Sequence, residues 1–331
     1  MARRASRKDV ALLAGVSVAV VSYVMNGGPR PVAAGTRERV MAAVNELNYR
    51  PNALAKALKL DRTNVIALLV PDISNPFFAE FSKHLQSEAF ALGYSLIVGD
   101  TSLDPAKEAA QVESLLDREI DGIVLFGMRN LSLLSSLRPS GIRVVSLDHE
   151  VSTLGFSTVV VNDYQAARDA VDHLIAHGHK RVGFIGGPTT TTVAQDRRRG
   201  WEDSIAEHGL TTNPEPRAFS AEYTREGGYQ VTKRILDSPQ RPTALFVSSD
   251  VQAVGVLRAC RESGTRVPED LAIFSFDGTK ESEFSWPRLS TVVLPLKEMA
   301  VKSLKALTAS GSDAVSEPVE HALALRASCG C

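Results

Sequence analysis

From Val65 onward the chain alternates short, unbroken apolar runs with longer stretches of helical period, and few folds accommodate that alternation. The run Val65-Ile66-Ala67-Leu68-Leu69-Val70 is apolar at every position. A strand of that kind needs both faces covered, so it belongs inside a parallel sheet. The pattern predicts a helix over 76–92, strand 95–98, helix 105–117, strand 122–126, helix 131–137 and strand 144–147. Residues 158–161 are expected to cross to a second lobe, where the alternation resumes. There it predicts helix 164–177, strand 181–185, helix 194–208, strand 217–219, helix 225–236, strand 244–247, helix 251–263 and strand 272–276. The chain then returns through 291–293 and a helix near 296–308, with 321–325 as a last strand. Strands alternating with helices imply doubly wound parallel sheets covered on both faces.

The first sixty residues differ in charge as well as in pattern. The whole chain of 331 residues carries a net charge of −1. Residues 1–60 hold ten Lys/Arg against Asp9, Glu38 and Glu46, a net +7, which leaves −8 for the rest. A basic head on an acidic body is expected where one end meets phosphates. A merely solvated basic terminus is the alternative. The apolar fraction of 44% and charged fraction of 23% are those of a soluble globular protein. The apolar run Val10–Ala14 after the basic N-terminus is interrupted by Gly15 and followed by polar residues, so no signal peptide is expected. No stretch approaches the roughly 20 apolar residues of a membrane span. Cys260 lies in an apolar helical pattern and is expected in the core. Cys329-Gly330-Cys331 offers too few ligands for a structural zinc, and a frayed tail is expected, with no metal and no cofactor. Nothing resembles a disulfide framework, which fits a reducing cytoplasm.

Within the head, Ser6 can cap a helix over 7–14, Gly15 breaks it, and Ser17 can cap a second helix over 18–25. Asn26-Gly27-Gly28-Pro29 stops the second helix, and a third is predicted over 36–47. Two short helices about a glycine turn, followed by a third, form the helix-turn-helix plan. Val21, Val24 and Met25 share one face of the second helix and are expected to pack on Val10 and Val16. Val18, Ala19, Ser22, Tyr23 and Asn26 face the other way, toward a major groove. Val18, Ala19 and Val20 can touch thymine methyls, while Ser22 and Tyr23 can hydrogen-bond bases or phosphates. The alternative is a small helical bundle with an ordinary surface.

Lys8-Asp9-Val10-Ala11, Ala14-Gly15-Val16-Ser17, Val21-Ser22 and Asn26-Gly27 together resemble the head of the lactose/galactose-repressor family, LacI/GalR. Thr36-Arg37-Glu38-Arg39-Val40 and Leu47-Asn48-Tyr49-Arg50-Pro51-Asn52-Ala53 continue the match without a gap, and the resemblance extends through the body. It implies an N-terminal all-α helix-turn-helix head over residues 1–50 and a hinge helix or linker over 51–62. It also implies a two-lobed α/β body over 63–331, like a periplasmic binding protein. The first lobe would take about 63–160 and part of 293–325, and the second about 161–292. Asn52 can cap a helix over 53–59, which is too short to persist alone in water. By resemblance that helix orders against its twin in the DNA minor groove, with Leu58 as a wedge and Ala55 facing the groove. The DNA-contacting set is thus Ser17, Val18, Ala19, Val20, Ser22, Tyr23, Asn26, Asn52, Ala55, Leu58 and Lys59. The alternative for 51–60 is an amphipathic linker with Leu54 and Leu58 packed on the body. The family often has Thr where this chain has Val20, and Arg or another strong hydrogen-bonder where it has Tyr23. Because Tyr cannot read guanine bidentately, no base sequence is assigned.

Ligands of open parallel sheets bind beyond the carboxyl ends of the strands. Here those ends carry Asp72-Ile73-Ser74-Asn75-Pro76-Phe77-Phe78, Asp100-Thr101-Ser102, Asp148-His149, Asp196-Arg197, Ser248-Ser249-Asp250 and Phe276-Asp277-Gly278. The resemblance assigns effector contact to Arg197 and Asp277, and more weakly to Phe77 and Asp148. Ser249 stands where the family often has Asn. With Asp72, Ser74 and Asn75 these make the candidate effector site, although any one of them can instead be a cap or a surface group.

Catalytic constellations are missing: there is no G-x-S-x-G elbow, no H-E-x-x-H, and Gly186-Gly187-Pro188 lacks P-loop spacing. His177-Gly178-His179 reads as a turn. The expected function is therefore a DNA-binding regulator, most readily a repressor, controlled by a sugar or related metabolite and acting as a cytoplasmic homodimer on an inverted repeat. A tetramer is not expected, since no heptad pattern follows Leu325. A transport solute-binding protein would leave residues 1–60 unexplained, and an enzyme on the same scaffold would need a constellation that is not present. Leu58→Ala is expected to weaken specific operator binding far more than binding to random duplex, measured by fluorescence anisotropy on both. Equal losses on the two duplexes would reject the wedge.

Overall fold

The computed structural model describes residues 5–26, 31–50, 62–127, 141–147, 155–210, 218–309 and 314–331, together with positions 130, 133, 134 and 137. It divides into a head, residues 1–63, and a body, residues 64–331.

The head holds α1 (Arg7–Ala14), α2 (Val18–Asn26) and α3 (Ala34–Glu46). Ser6 opens α1 with a capping box: its hydroxyl accepts from the Asp9 N–H, and the Asp9 carboxylate accepts from the Ser6 N–H at 2.7 Å. Gly15 closes it at φ 62°, a left-handed conformation that a side chain resists, and this directs the chain into α2. Val10, Ala14, Val21, Val24, Val40 and Val44 are buried together, with Val16 and Met25 packed against them. α3 begins two residues earlier than its sequence pattern implies. The Thr36 and Arg37 N–H groups both donate to Ala33 O, so backbone alone starts the helix without a side-chain cap. Two arginines of α3 finish the other helices: Arg37 Nη1 donates to Val24 O and Arg39 Nε to Ala14 O, each at 3.4 Å. These are carbonyls that a helix end leaves without an internal partner.

The body contains two six-stranded sheets. In the first lobe lie β1 (Val65–Val70), α4 (Pro76–Ala91), β2 (Ser95–Asp100), α5 (Pro105–Leu116), β3 (Gly122–Leu125), β4 (Arg143–Ser146) and β5 (Ser157–Val161). The second contains α6 (Asp163–Ala176), β6 (Val182–Gly186), α7 (Thr192–Glu207), β7 (Ala218–Ser220), α8 (Arg225–Leu236), β8 (Ala244–Val247), α9 (Asp250–Glu262), β9 (Ala272–Asp277), α10 (Lys280–Phe284) and β10 (Ser290–Val293). The remaining elements are α11 (Leu296–Thr308), β11 (Ser316–Val319), β12 (Ala322–Ala324) and a 3₁₀ turn, Ala327–Cys329. The strand orders, β11-β5-β4-β3-β1-β2 and β12-β10-β9-β8-β6-β7, describe the same winding twice. Every pairing is parallel except β10 with β12.

Three segments run differently from the sequence expectation. Residues 158–161, expected to cross between lobes, lie instead in the fifth strand of the first sheet, Ser157–Val161, which pairs with β4 and β11. β11 was not anticipated: it is an exposed edge strand containing Pro318, a composition that hides the strand signal. The final predicted strand shortens to Ala322–Ala324 and joins the second sheet, where Val292 pairs with Leu323. The chain therefore passes between lobes three times, after Val161, after Val293 and after Val319. Among the described residues no single helix is long and apolar enough to cross a membrane; α1 with α2 reaches that composition only as a pair bent by 103°.

The α8 and α9 helices approach so closely that glycine is required on both. A Cβ at Gly255 would lie 1.9 Å from Arg225 O, and one at Gly228 would lie 2.1 Å from Gln252 O. Gly255→Ala must push the helices apart. It is expected to destabilise the body by roughly the 1–3 kcal/mol typical of overpacking, read as a lower urea midpoint in equilibrium unfolding. An unchanged midpoint would contradict the close approach.

Candidate functional site

The turns that follow the strands are built from helix caps, and this explains why polar residues gather there. Asn75 accepts from the Phe77 N–H, Asp104 from the Ala106 N–H, Asn162 from Gln165, Thr191 from Ala194, Thr224 from Gly227 and Ser249 from Gln252. Each cap satisfies donors that a helix start leaves open. With both sheets presenting their carboxyl ends to one cleft of about 350 Å³, four of these caps, Asn75, Thr191, Thr224 and Ser249, line it.

The second-lobe wall is organised by Arg197, in the second turn of α7. Only 7% of its surface is exposed. Its Nε donates to Asp163 Oδ1 at 2.7 Å and its Nη1 to Ser248 O at 2.6 Å, while Asp277 Oδ1 lies 3.8 Å away. The guanidinium lies 3.6 Å from the centre of the Phe276 ring. Burial disfavours the charge, but Asp163, Tyr223 and Asp277 outweigh it and hold Arg197 above its ordinary pKa. Asp277 responds oppositely: burial pushes its carboxyl well above the usual range, and Arg197 only partly opposes this. Asp277 also adopts φ 110°, a conformation that costs a non-glycine residue energy and is tolerated where surrounding structure imposes it. Tyr223 lines the same wall with its hydroxyl buried beside Ser248.

The first-lobe wall is aromatic. Phe77, Phe78 and Phe126 pack edge to face with centroids 5.1–5.7 Å apart, and all three line the cleft. Asp72 and Asp100 stand at its rim. Asp100 accepts from the Ile73 and Ser102 N–H groups at 2.8 Å, which ties the first two strand-end loops together.

Of the effector residues expected from sequence, Asp72, Asn75, Phe77, Arg197, Ser249 and Asp277 line this cleft. Ser74 does not: its N–H and hydroxyl both turn to Asp72 Oδ1. Asp148 falls outside the described residues. Asp250, an open case between cap and ligand, is not on the wall. Its carboxylate accepts from the Ser275 and Thr291 hydroxyls and from the Thr279 N–H and hydroxyl, wholly inside the second lobe. Gln252 is also structural, donating from Nε2 to Gly186 O, Ala221 O and Glu222 O. Asp163 and Tyr223 were missed. Asp163 follows a strand by two residues, so reading 157–161 as a strand would have exposed it as a strand-end group.

In the head, Ser17 accepts from the Val20 N–H at 3.3 Å and so begins α2. Val18 and Ala19 are exposed, and Ser22 and Tyr23 are half-buried, on the face away from the core. Val20 leans onto the core instead of standing clear of it. Asn26 is the last residue of α2. Asn52, Ala55, Leu58 and Lys59 fall outside the described residues.

Comparison with known proteins agrees with both halves of this description. Residues 7–52 match bacterial regulatory proteins of the lacI family, and residues 171–329 match a periplasmic binding protein-like domain. The chain is 35% identical to the HTH-type transcriptional regulator DegA of Bacillus subtilis (strain 168), over 89% of this chain and 88% of that protein. Among solved structures, the lac repressor dimer bound to operator and the anti-inducer ONPF is similar with a TM-score of 0.86 and 25% identity, covering 99% of each chain. The complex of the transcriptional regulator CelR with cellobiose gives 0.73 and 27%, covering 98% of this chain and 100% of that one.

Asp250 supplies a pH test. Burial pushes its carboxyl up to about 6, against hydrogen bonds from Ser275, Thr291 and Thr279 that pull it down. The native state then holds a proton that the unfolded chain releases near pH 4. The stability attached to this group is present below that point and is lost as pH rises to about 6, by on the order of 3 kcal/mol. Asp250→Asn can keep its oxygen on Thr279 and donate to the two hydroxyls, whose hydrogens rotate. Its stability relative to the parent chain is expected to rise from pH 4 to 6 and level off, in urea unfolding across that range. A difference that does not change with pH would contradict the buried titration.

Proposed function

This chain belongs to the lacI family of bacterial regulatory proteins, and from that premise we propose that it is a homodimeric repressor of transcription whose hold on an inverted-repeat operator is set by a carbohydrate in the cleft. The single observation carrying the ligand class is the charge balance around Arg197. One buried guanidinium is flanked by the carboxyls of Asp163 and Asp277, and Asp72, Asp100 and Glu222 line the same space. That surplus of acid repels a phosphate or a second carboxylate, which would bring an unpaired negative charge into a confined site. Hydroxyls suit it, because each can donate to a carboxylate and accept from Arg197 or Tyr223 at once. The Phe77-Phe78-Phe126 face opposite then covers the apolar side of a sugar ring. The cellobiose held by the similar CelR structure supports the same class.

In this reading α2 enters the major groove with Val18, Ala19, Ser22 and Tyr23 toward the bases, and Ser17 and Asn26 at its ends toward the backbone. A single head reads only a half-site, so two chains meet an inverted repeat. The operator-bound dimer among the similar structures supports that arrangement. The hinge residues Asn52, Ala55, Leu58 and Lys59 are assigned to the minor groove on the family resemblance. A ligand touching both walls favours one spacing of the lobes, and the three crossings after Val161, Val293 and Val319 are where the backbone bends. The ligand changes DNA affinity only to the extent that it binds the two spacings unequally. As a regulator of transcription the protein acts in the cytoplasm.

The test begins with operator sequences selected from random duplexes and a panel of neutral sugars, nucleosides and sugar phosphates, scored by thermal shift and by operator release. A neutral sugar is expected to score and its phosphate ester to fail. Arg197→Ala is expected to weaken that sugar's binding by at least about 30-fold, the lower range for removing one partner of a buried charge pair. Ligand-free operator affinity is expected to stay within about threefold, provided the variant's melting transition remains cooperative. A variant that still responds at the parental sugar concentration would remove Arg197 from the site.

A further inference from the structure

The segment expected to fray is docked. Cys329 is 2% exposed, and Ser328 is buried with its hydroxyl donating to Ile273 O at 2.7 Å. The Ser290 N–H donates to Ser328 Oγ at 2.8 Å, and the Ser290 hydroxyl to Cys329 Sγ at 3.0 Å. This anchors residues 328–331 at the amino-terminal edge of β10, the end remote from the effector cleft. Gly330 takes φ 89°, a left-handed turn that brings Cys331 back beside Cys329, their Sγ atoms 3.2 Å apart.

Opposite the two thiols stands the C-terminal end of α6, where His173 in the last turn and His177 at the cap lie one turn apart, ring centroids 4.4 Å apart. His173 Nε2 lies 3.3 Å from Cys329 Sγ and 3.5 Å from Cys331 Sγ, and His177 Nε2 lies 3.5 Å from Cys331 Sγ. The ligand atoms of His173, Cys329 and Cys331 all fall within 4.8 Å of one another. A tetrahedral zinc with Zn–S of about 2.3 Å and Zn–N of about 2.0–2.1 Å holds neighbouring nitrogen and sulfur about 3.5 Å apart, and two sulfurs about 3.8 Å apart. The three nitrogen–sulfur spacings given above already match, the sulfurs need to part by roughly half an ångström, and the His177 ring must turn further toward Cys329 to complete the set. Two histidines at i and i+4 on one helix face are the spacing that zinc-binding helices use. Sequence alone shows only a C-x-C pair, because its partners lie some 150 residues away on another element.

We propose that His173, His177, Cys329 and Cys331 form a zinc(II) site that staples the 328–331 segment to helix α6. Binding replaces the two thiol protons: Zn²⁺ adds to neutral His173 and His177 and to the thiolates of Cys329 and Cys331, and two protons leave to solvent. The resulting Zn²⁺ with two thiolates carries no net charge, which suits a half-buried pocket against Phe274. A mixed set of two nitrogens and two sulfurs favours zinc over magnesium or calcium. His179 turns its Nδ1 to Thr243 Oγ1 at 3.1 Å instead.

The experiment uses the full chain, fully reduced, stripped with a chelator and then given Zn²⁺ or Co²⁺ alone. Three free thiols are to be counted first, for Cys260, Cys329 and Cys331. One Zn²⁺ per chain is expected, with about two protons released and a raised melting temperature. Co²⁺ is expected to give the visible bands of tetrahedral coordination and a thiolate charge-transfer band in the near ultraviolet. The exposed pair is the safe one to change: the double variant His177→Ala, Cys331→Ser is expected to fold as the parent does. It should lose zinc affinity by more than about 100-fold, beyond what loss of an outer partner costs. Binding weaker than micromolar in the reduced parent, a cobalt spectrum without a thiolate band, or zinc retained by the double variant would each overturn the site.

Discussion

A guanidinium charge with almost no access to solvent must be held by something, and what holds Arg197 organises most of the second lobe. Asp163 begins α6, Ser248 opens the strand-to-helix turn between β8 and α9, and Asp277 closes β9. Phe276 supplies the ring on which the guanidinium rests. One side chain thus locks three strand ends and two helix starts into a single polar wall. Removing it would leave two buried carboxyls facing each other, which is why the group cannot be exchanged for an apolar residue without loss. The wall is therefore prearranged before any ligand arrives, and the energy that Asp277 spends on φ 110° is held in the same place.

How much of this was legible in the residues depended on whether the signal was local. The head was readable because its grammar is short-range: Ser6 and Asp9 are three residues apart, and Gly15 marks its own turn. The parallel sheets were readable because strands such as Val65–Val70 are apolar without interruption. One edge strand was not. β11 is short and mostly exposed, so it lacks the pattern that burial writes into a sequence. Residues 158–161 lie at the lobe boundary, where a crossing accounts for their pattern as well as a strand does, and that hides Asp163.

Polar residues at strand ends posed a different difficulty. Capping a helix and binding a ligand draw on the same short side chains, so Ser249, Asn75 and Asp250 were ambiguous in sequence. The structure separates them by what each already bonds. Asp250 has every oxygen occupied within the lobe, and its role is to tie α9 to β9 and β10. Ser249 and Asn75 cap and also face the cleft. The Cys329–Cys331 segment failed for the opposite reason: its partners, Ser290 and His173, are remote in sequence, so composition alone described a loose tail.

The central claim is that the ligand cleft and the DNA-reading head exchange free energy through one protein. Linkage makes this measurable in both directions. The factor by which saturating sugar changes operator affinity must equal the factor by which saturating operator changes sugar affinity. Isothermal titration of the full chain with sugar, with and without bound operator duplex, set beside operator titrations with and without sugar, tests this directly. The two factors are expected to agree and to lie between about 5-fold and 150-fold, the usual range of such couplings. A sugar that occupies the cleft while both factors remain at one would contradict the account.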